Sequence, residues 1–367
     1  MKIGILTSSR ADYGIYLPLL KALYGDSFFK PEIIAFGTHL SPAFGNTVKA
    51  IEEDGFLVPH KIDTIPNGDQ PENISYAIGK TVINFSSFWK DNQFDLVFAL
   101  GDRYEMFAAV ISSVPFNVKI AHIHGGETTS GAIDDAFRHS ITHMSFIHFT
   151  SAAPYANRVK ELIGSFNHVY NVGALSFDNL KNITLYSIAE FRDKFGVDLT
   201  KPTILITFHP ETIDFEKNRA YAAELVAALN QTKGFQFLIT MPNSDTMGNI
   251  IRTSLQGFIE RNTNAFGFEN LGMIGYLSAM KHCIVMIGNT SSGCIEANWF
   301  PKWVINLGNR QKGRIETPNR INCEIKKEMI AEKLALIKQA SIPEHTDIYG
   351  HGNSAFKIVQ IIKQNYA

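Results

Sequence analysis

The sequence predicts an α/β protein built on two parallel sheets. Three observations carry that prediction. Short, nearly continuous runs of Ile, Val, Leu and Phe alternate with helix-length amphipathic stretches along the chain, the pattern of strands covered on both faces by crossover helices. The runs fall into two sets, divided near residues 173–177. The length, 367 residues, exceeds the roughly 250–300 at which a single hydrophobic core usually stops growing.

The first set of expected strands is KIGILT (2–7), EIIAFGT (32–38), DLVFALG (95–101), VKIAHIH (118–124) and HVYNVG (168–173). The second is TILITF (203–208), FQFLIT (235–240), AFGFE (265–269), CIVMIG (283–288) and WVINLG (303–308). Between them the helical period shows in YGIYLPLLKALY, YEMFAAVISSV, EKNRAYAAELVAALNQ and YLSAMKHC. Two Rossmann-like domains are therefore expected, at 1–175 and 176–352. The last segment, NSAFKIVQIIKQNYA (353–367), reads as an amphipathic helix with Asn353 or Ser354 as N-cap, packing back on the first domain.

Composition excludes several classes of partner. With 34 basic and 35 acidic residues the formal net charge is −1, and no charged run asks for nucleic acid or an anionic membrane. No stretch approaches the ~18 apolar residues of a membrane span. The N-terminus turns polar after six residues, too soon for a signal-peptide core. Cys283, Cys294 and Cys323 form no CxxC pair and leave an odd thiol, which suits a reducing compartment and a cytoplasmic protein.

In open parallel sheets ligands bind beyond the carboxyl ends of the strands, and the polar clusters of this chain fall there. SSRADYG follows the first strand, GDRYE follows DLVFAL and HGGE follows VKIAHI; HPET, MPNSD, GNTSSG and GNRQKGR follow strands of the second set. Arg10 is well placed for a diphosphate, or is a solvated surface arginine. No GxGxxG accompanies it, which counts against a nicotinamide cofactor. Asp102 reads as a general base or as the N-cap of the helix from Tyr104. His209 is a phosphate donor or proton-transfer group, or a structural histidine. GNTSSGCIEA reads as strand, small-residue turn and helix start, an anion site or simply a well-capped helix. Glu296, one turn inside that helix, would repel phosphate and points to a sugar hydroxyl.

The densest stretch is HIHGGETTSGAIDDAFRH (122–139), with three histidines and three acids. On a strand, His122 and His124 would share a face, and HxH can bind metal with a carboxylate such as Glu127 or Asp134. The double glycine, which turns the chain sharply, makes a metal the weaker reading. A plainer reading has Asp134 capping a helix whose Arg138 and His139 face solvent, which leaves Glu127 on its glycine turn unexplained.

SRADYG, GDRYE, HIHGGETTSGAIDDAFRHSIT, HPET, GNTSSGCIEA and NRQKGR run in order from Ser9 to Arg314. Together they resemble the hydrolysing UDP-N-acetylglucosamine 2-epimerase family of sialic and legionaminic acid precursor enzymes; HGGE followed by DDxxRH is the most specific element. The resemblance implies a GT-B-like fold, two Rossmann-like domains facing across a cleft that holds the UDP-sugar. It implies no metal and no cofactor, and a homodimer or dimer of dimers. The implied reaction eliminates UDP to a glycal, then hydrates it with inversion at C2. Asp102, Glu127 and Asp134 are the implied acid–base set. Arg10, Arg103, His209, Asn243, Ser291, Ser292, Glu296 and Arg310 are the implied nucleotide contacts, and His209 is also carried as catalytic. Vertebrate relatives have a glutamate where this chain has His124, so His124 stands beside Glu127 for that proton-transfer role. The expected substrate is UDP-N-acetylglucosamine, giving N-acetylmannosamine, with UDP-2,4-diacetamido-2,4,6-trideoxyglucose as the alternative. A glycosyltransferase, a non-hydrolysing epimerase and a UDP-sugar sensor are the rival classes.

Overall fold

The protein is described from a computed structural model, over residues 1–65, 68–242, 245 and 247–366. Asn243 lies outside the described residues. The chain forms two compact units. Unit 1 comprises residues 1–127, 134–182 and 347–367; unit 2 comprises residues 128–133 and 183–346. The main crossing thus falls several residues later than expected, and a six-residue segment of the HGGE stretch belongs to unit 2.

Unit 1 holds β1 (Lys2–Thr7), β2 (Lys30–Phe36), β3 (His60–Ile62), β4 (Leu96–Leu100), β5 (Ile120–Ile123), β6 (Ile147–Thr150) and β7 (Val169–Asn171) in the order β3-β2-β1-β4-β5-β6-β7. Unit 2 holds β8 (Thr203–Thr207), β9 (Gln236–Thr240), β10 (Ala265–Phe268), β11 (Val285–Gly288), β12 (Trp303–Leu307) and β13 (Arg320–Cys323), ordered β10-β9-β8-β11-β12-β13. Every pairing among them is parallel. Both orders reverse beside the first strand, between β1 and β4 and between β8 and β11, which is the doubly wound pattern with its switch point.

Strands buried on both faces explain the near-continuous apolar runs. In unit 1, Leu6, Ile34, Phe36, Val97 and Ala99 pack against Phe85, Trp89, Met106 and Val110 of the covering helices Pro71–Asp91 and Tyr104–Ser113. In unit 2, Ile204, Ile206, Phe237, Ile239, Val285 and Ile305 pack against Leu225, Ile251, Leu255 and Phe258. Each of the Val, Leu, Ile, Phe and Met side chains contributes about 1.5–3 kcal/mol when fully buried, so each unit has a core of its own.

Three strands were not foreseen. β3 is three half-exposed residues at a sheet edge, β13 reads Arg-Ile-Asn-Cys, and β6 has His148 in the middle of its apolar run. The C-terminal helix, Ser354–Tyr366, belongs to unit 1. Its first amides, from Ser354 and Ala355, donate to the two carboxylate oxygens of Asp178 at 2.9 Å each. Asn353 holds the N-cap position, its carbonyl accepting from the Lys357 amide at 3.2 Å, while the side-chain acceptor is the Asp178 carboxylate of another helix, whose pKa burial raises despite these bonds. Among the described residues no helix is long and apolar enough to cross a membrane.

Candidate functional site

In unit 1, β1 and β4 are neighbours with Ile5 opposite Phe98, so the SSRAD and GDRYE loops emerge side by side at the switch point. The SSRAD loop is organised by buried Asp12. Its carboxylate accepts from the Thr7 hydroxyl (2.9 Å), the Ser8 amide (2.8 Å) and hydroxyl (2.9 Å), and the Ser9 amide (2.9 Å). Burial pushes the Asp12 carboxyl up, but His39 and the Ser8 and Ser9 amides outweigh it and hold the pKa below the ordinary value. Arg10 sits on this braced loop as the first residue of the helix Arg10–Tyr24.

Asp102 is not a helix cap. The helix Tyr104–Ser113 starts without a side-chain cap, and the Asp102 carboxylate is instead ion-paired with Arg138. The plainer reading of the stretch puts Arg138 on a solvated face, yet it is only 1% exposed. Its guanidinium also donates to the Glu127 carbonyl (2.8 Å) and to Asp135 (2.5 Å). One buried cation thereby joins the loops after β4 and β5 to the helix Asp134–Met144. Burying it is tolerable only because it is paired and hydrogen-bonded. Arg103 forks onto the buried Glu105 carboxylate at 3.0 and 3.1 Å, so an internal acid orients this expected nucleotide contact.

The HIHGGE stretch resolves into two histidines with different tasks. β5 ends at Ile123, and His124 adopts a left-handed φ of 67°, so the two rings do not share a strand face. His122 is fully buried; its Nε2–H donates to the Gly101 carbonyl at 2.8 Å, and Nδ1 lies 3.1 Å from the Thr142 hydroxyl. Burial, then neighbouring histidines, depress its pKa to about 3 against the raising effect of the Gly101 bond. It is a neutral strut that fixes the residue before Asp102. His124 Nδ1 lies 2.6 Å from Glu127 Oε1, which also accepts from the Ser151 hydroxyl at 2.7 Å. The HxH metal pair therefore does not form: each ring has its own partner. Gly126 permits the turn, since a Cβ there would run into the Tyr155 carbonyl and φ is +81°. Asp134 opens its helix, partly exposed. Asp102, Glu127, His124 and Arg138 thus form one connected group in unit 1.

In unit 2 the loops after β8, β11 and β12 are fastened to each other. Buried Asn289 clasps the backbone of His209, accepting from its amide at 2.7 Å and donating to its carbonyl at 2.8 Å. Gln311 donates to the Asn289 carbonyl at 2.8 Å. Arg310 donates to the Pro210 carbonyl (2.8 Å) and to Asp245 (3.0 Å). A hydroxyl row lies alongside: Tyr276 is 2.7 Å from Ser292 and 3.3 Å from Thr207, and Thr290 is 3.2 Å from Ser292. Burial pushes the Tyr276 phenol up to about 12, so it remains a hydrogen-bonding hydroxyl.

The GNTSSG segment differs from expectation. Ser291–Gly293 is a short 3-10 turn, and the helix that follows, Glu296–Trp299, has four residues with Glu296 at its start, not one turn inside. The amides of Gly293, Cys294 and Ile295 are used within the turn, by the carbonyls of Thr290 and Ser291. The segment accordingly offers hydroxyls and a carboxylate rather than a long helix N-terminus, which removes the dipole argument for an anion site.

Sequence reasoning passed over Glu105, Ser151, Asn289 and Glu211 and misplaced Arg138 and His122. Asn289 and Glu211 lie inside motifs already singled out, and only their partners were hidden. Ser151 follows β6, the interior strand that was not foreseen.

Residues 21–363 match the UDP-N-acetylglucosamine 2-epimerase family. A Campylobacter jejuni protein named GDP/UDP-N,N'-diacetylbacillosamine 2-epimerase (hydrolyzing) is 36% identical over 325 residues, 88% of this chain and 84% of its own length. An Escherichia coli protein named polysialic acid biosynthesis protein P7 is 33% identical over 374 residues, 99% of this chain and 93% of its own. The crystal structure of UDP-GlcNAc 2-epimerase from Neisseria meningitidis bound to UDP-GlcNAc superimposes with a TM-score of 0.84 over 100% of both chains at 17% identity, a likeness in the GT-B-like fold. Two doubly wound sheets, polar loops gathered at both switch points and a match over most of the chain agree: it belongs to the UDP-N-acetylglucosamine 2-epimerase family.

Proposed function

We propose that this enzyme is a hydrolysing 2-epimerase that converts a UDP-linked 2-acetamido sugar into the free manno-configured sugar and UDP. The observation that carries the reading is the buried group in unit 1, where Asp102 is paired with Arg138 and Glu127 with His124 and Ser151. Proton removal from a carbon needs a positioned base, and hydration of the resulting double bond needs an acid at C2 and a base for water. In the first step the C1–O bond to UDP breaks, H2 leaves as a proton to a carboxylate and C1=C2 forms. In the second, water adds its oxygen to C1, and a proton returns to C2 on the opposite face.

Asp102, Glu127 and Asp134, with His124 beside Glu127, are assigned to proton transfer. The C2 proton is weakly acidic, so charge on the departing diphosphate must be stabilised by preorganised donors. That role goes to Arg10 and Arg103 of unit 1 and to His209, Ser291, Ser292 and Arg310 of unit 2, with Asn243 retained from the family likeness. Glu296 is assigned to a ribose hydroxyl. The reading routes no step through a metal or cofactor.

Of the two sugars, the name of the 36% relative favours UDP-N,N'-diacetylbacillosamine, the diacetamido-trideoxy sugar, over the UDP-N-acetylglucosamine expected from sequence. The test is proton NMR of the purified enzyme with each sugar nucleotide, with chelator and no added metal. Free manno sugar together with UDP is the expected result. A UDP-linked epimer would mean the non-hydrolysing reaction, and no turnover of either sugar would remove the enzymatic reading.

A further inference from the structure

The loop carrying Arg310 is held within unit 2 from two sides, and neither support belongs to the nucleotide contacts assigned above. The first is Glu211, only 1% exposed. Its backbone is clasped by buried Asn218, whose side chain accepts from the Glu211 amide at 3.0 Å and donates to its carbonyl at 2.9 Å. With its origin fixed, the carboxylate accepts the backbone N–H of Asn309 at 2.5 Å and that of Arg310 as well. Two consecutive amides on one acid set the backbone from which the Arg310 side chain departs. Burial raises the Glu211 pKa above the ordinary value against the lowering effect of these two amides, and in its ionised form the carboxylate makes such bonds about twice as strong as neutral ones.

The second support is the six-residue segment 128–133, which belongs to unit 2 although residues on either side of it, Glu127 and Asp134, belong to unit 1. Its Ser130 amide donates to the Lys312 carbonyl at 2.9 Å, and its Ile133 amide donates to the Thr212 hydroxyl at 2.9 Å. Between these bonds Gly131 lies directly on the peptide joining Asn309 to Arg310. A Cβ at Gly131 would come within 2.5 Å of the Asn309 carbonyl carbon and 2.6 Å of the Arg310 nitrogen. Both are backbone atoms, so a side chain could be accommodated only by displacing the loop.

We propose that Glu211 and Gly131 are positioning residues for Arg310: the carboxylate and the strap fix the Asn309–Arg310 peptide so that the guanidinium meets the diphosphate of a UDP-sugar. This inference rests on the nucleotide role given to Arg310. It predicts a defect in binding, where a merely structural role would lower the amount of active protein and leave KM unchanged.

The test compares UDP titration calorimetry and steady-state kinetics for wild type, Glu211→Ala, Glu211→Gln, Gly131→Ala and Arg310→Ala, each checked for native near-UV circular dichroism. Glu211→Ala and Gly131→Ala are expected to weaken UDP binding and raise KM about tenfold, with kcat within about threefold. Glu211→Gln, whose amide oxygen can still accept from Asn309, recovers most of the loss. If Arg310→Ala weakens UDP binding but folded Glu211→Ala does not, the positioning inference is wrong. If Arg310→Ala itself leaves UDP affinity unchanged, the nucleotide role of that arginine fails, and the inference with it. Should Gly131→Ala not fold, the two Glu211 variants decide the matter.

Discussion

The two switch points share one topology and carry opposite chemistry. Beside β1 and β4 in unit 1, the loops present carboxylates tied to a buried arginine and a histidine. Beside β8 and β11 in unit 2, and on the neighbouring loop after β12, they present hydroxyls, a histidine backbone clasped by an asparagine side chain, and Arg310. The strand order decides where polar loops gather; the loop residues decide whether the place moves protons or grips an anion. Function has to be argued from those side chains, because the fold alone supports either use.

The division can be broken most sharply at Asp102. Asp102→Asn should lower kcat by about a hundred- to ten-thousandfold, the usual weight of a positioned acid or base, while calorimetry finds UDP affinity within a few fold of wild type. A large loss of UDP affinity would put Asp102 on the binding side. Next in size, Arg138→Met removes the cation that joins three segments of unit 1. Leaving its acids unpaired should cost about 3–5 kcal/mol in urea unfolding; a loss under about 1 kcal/mol would mean that the pairing holds little together.

Arg310→Ala should do the reverse of Asp102→Asn, weakening UDP binding about ten- to a hundredfold with a smaller effect on kcat. An acid titration sharpens the comparison from the side of stability. His122 and His148 of unit 1 are held neutral by burial, with pKa values of about 3 and about 4. Both lie below the ordinary 6.5, so under that pH the unfolded chain takes up protons that the folded chain refuses. Stability should therefore fall as pH drops from about 6.5 towards 4. His148→Phe should make that fall shallower in urea midpoints measured across the window, and an unchanged slope would contradict the account. The smallest effect belongs to Tyr276→Phe: losing one hydroxyl partner of Ser292 should change KM by a few fold, about 1 kcal/mol, and leave kcat alone.

Much of this was legible in the sequence because period and punctuation act locally. Near-continuous apolar runs gave ten of the thirteen strands among the described residues their place, and polar clusters after them marked the loops that gather at the switch points. What stayed hidden depended on partners distant in sequence. Arg138 looks like a surface residue until Asp102, 36 positions away, is found against it. Asn289 looks like a turn residue until it is found clasping His209, 80 positions away. Ser151 could not be linked to Glu127 without β6, whose run is interrupted by a histidine kept neutral by burial. The segment 128–133 reads as an ordinary loop, and only its hydrogen bonds to Lys312 and Thr212 reveal that it is built into the other unit.

The central claim is that the carboxylates of unit 1 exchange the C2 proton of a UDP-sugar on the way to a free product. The most direct measurement is turnover in D2O, with the product's C2 position read by proton NMR and mass. The account predicts free manno sugar carrying one deuterium at C2 and an equal amount of UDP, both lost in Asp102→Asn. A product that keeps its original hydrogen at C2, or an epimer still bound to UDP, would contradict it.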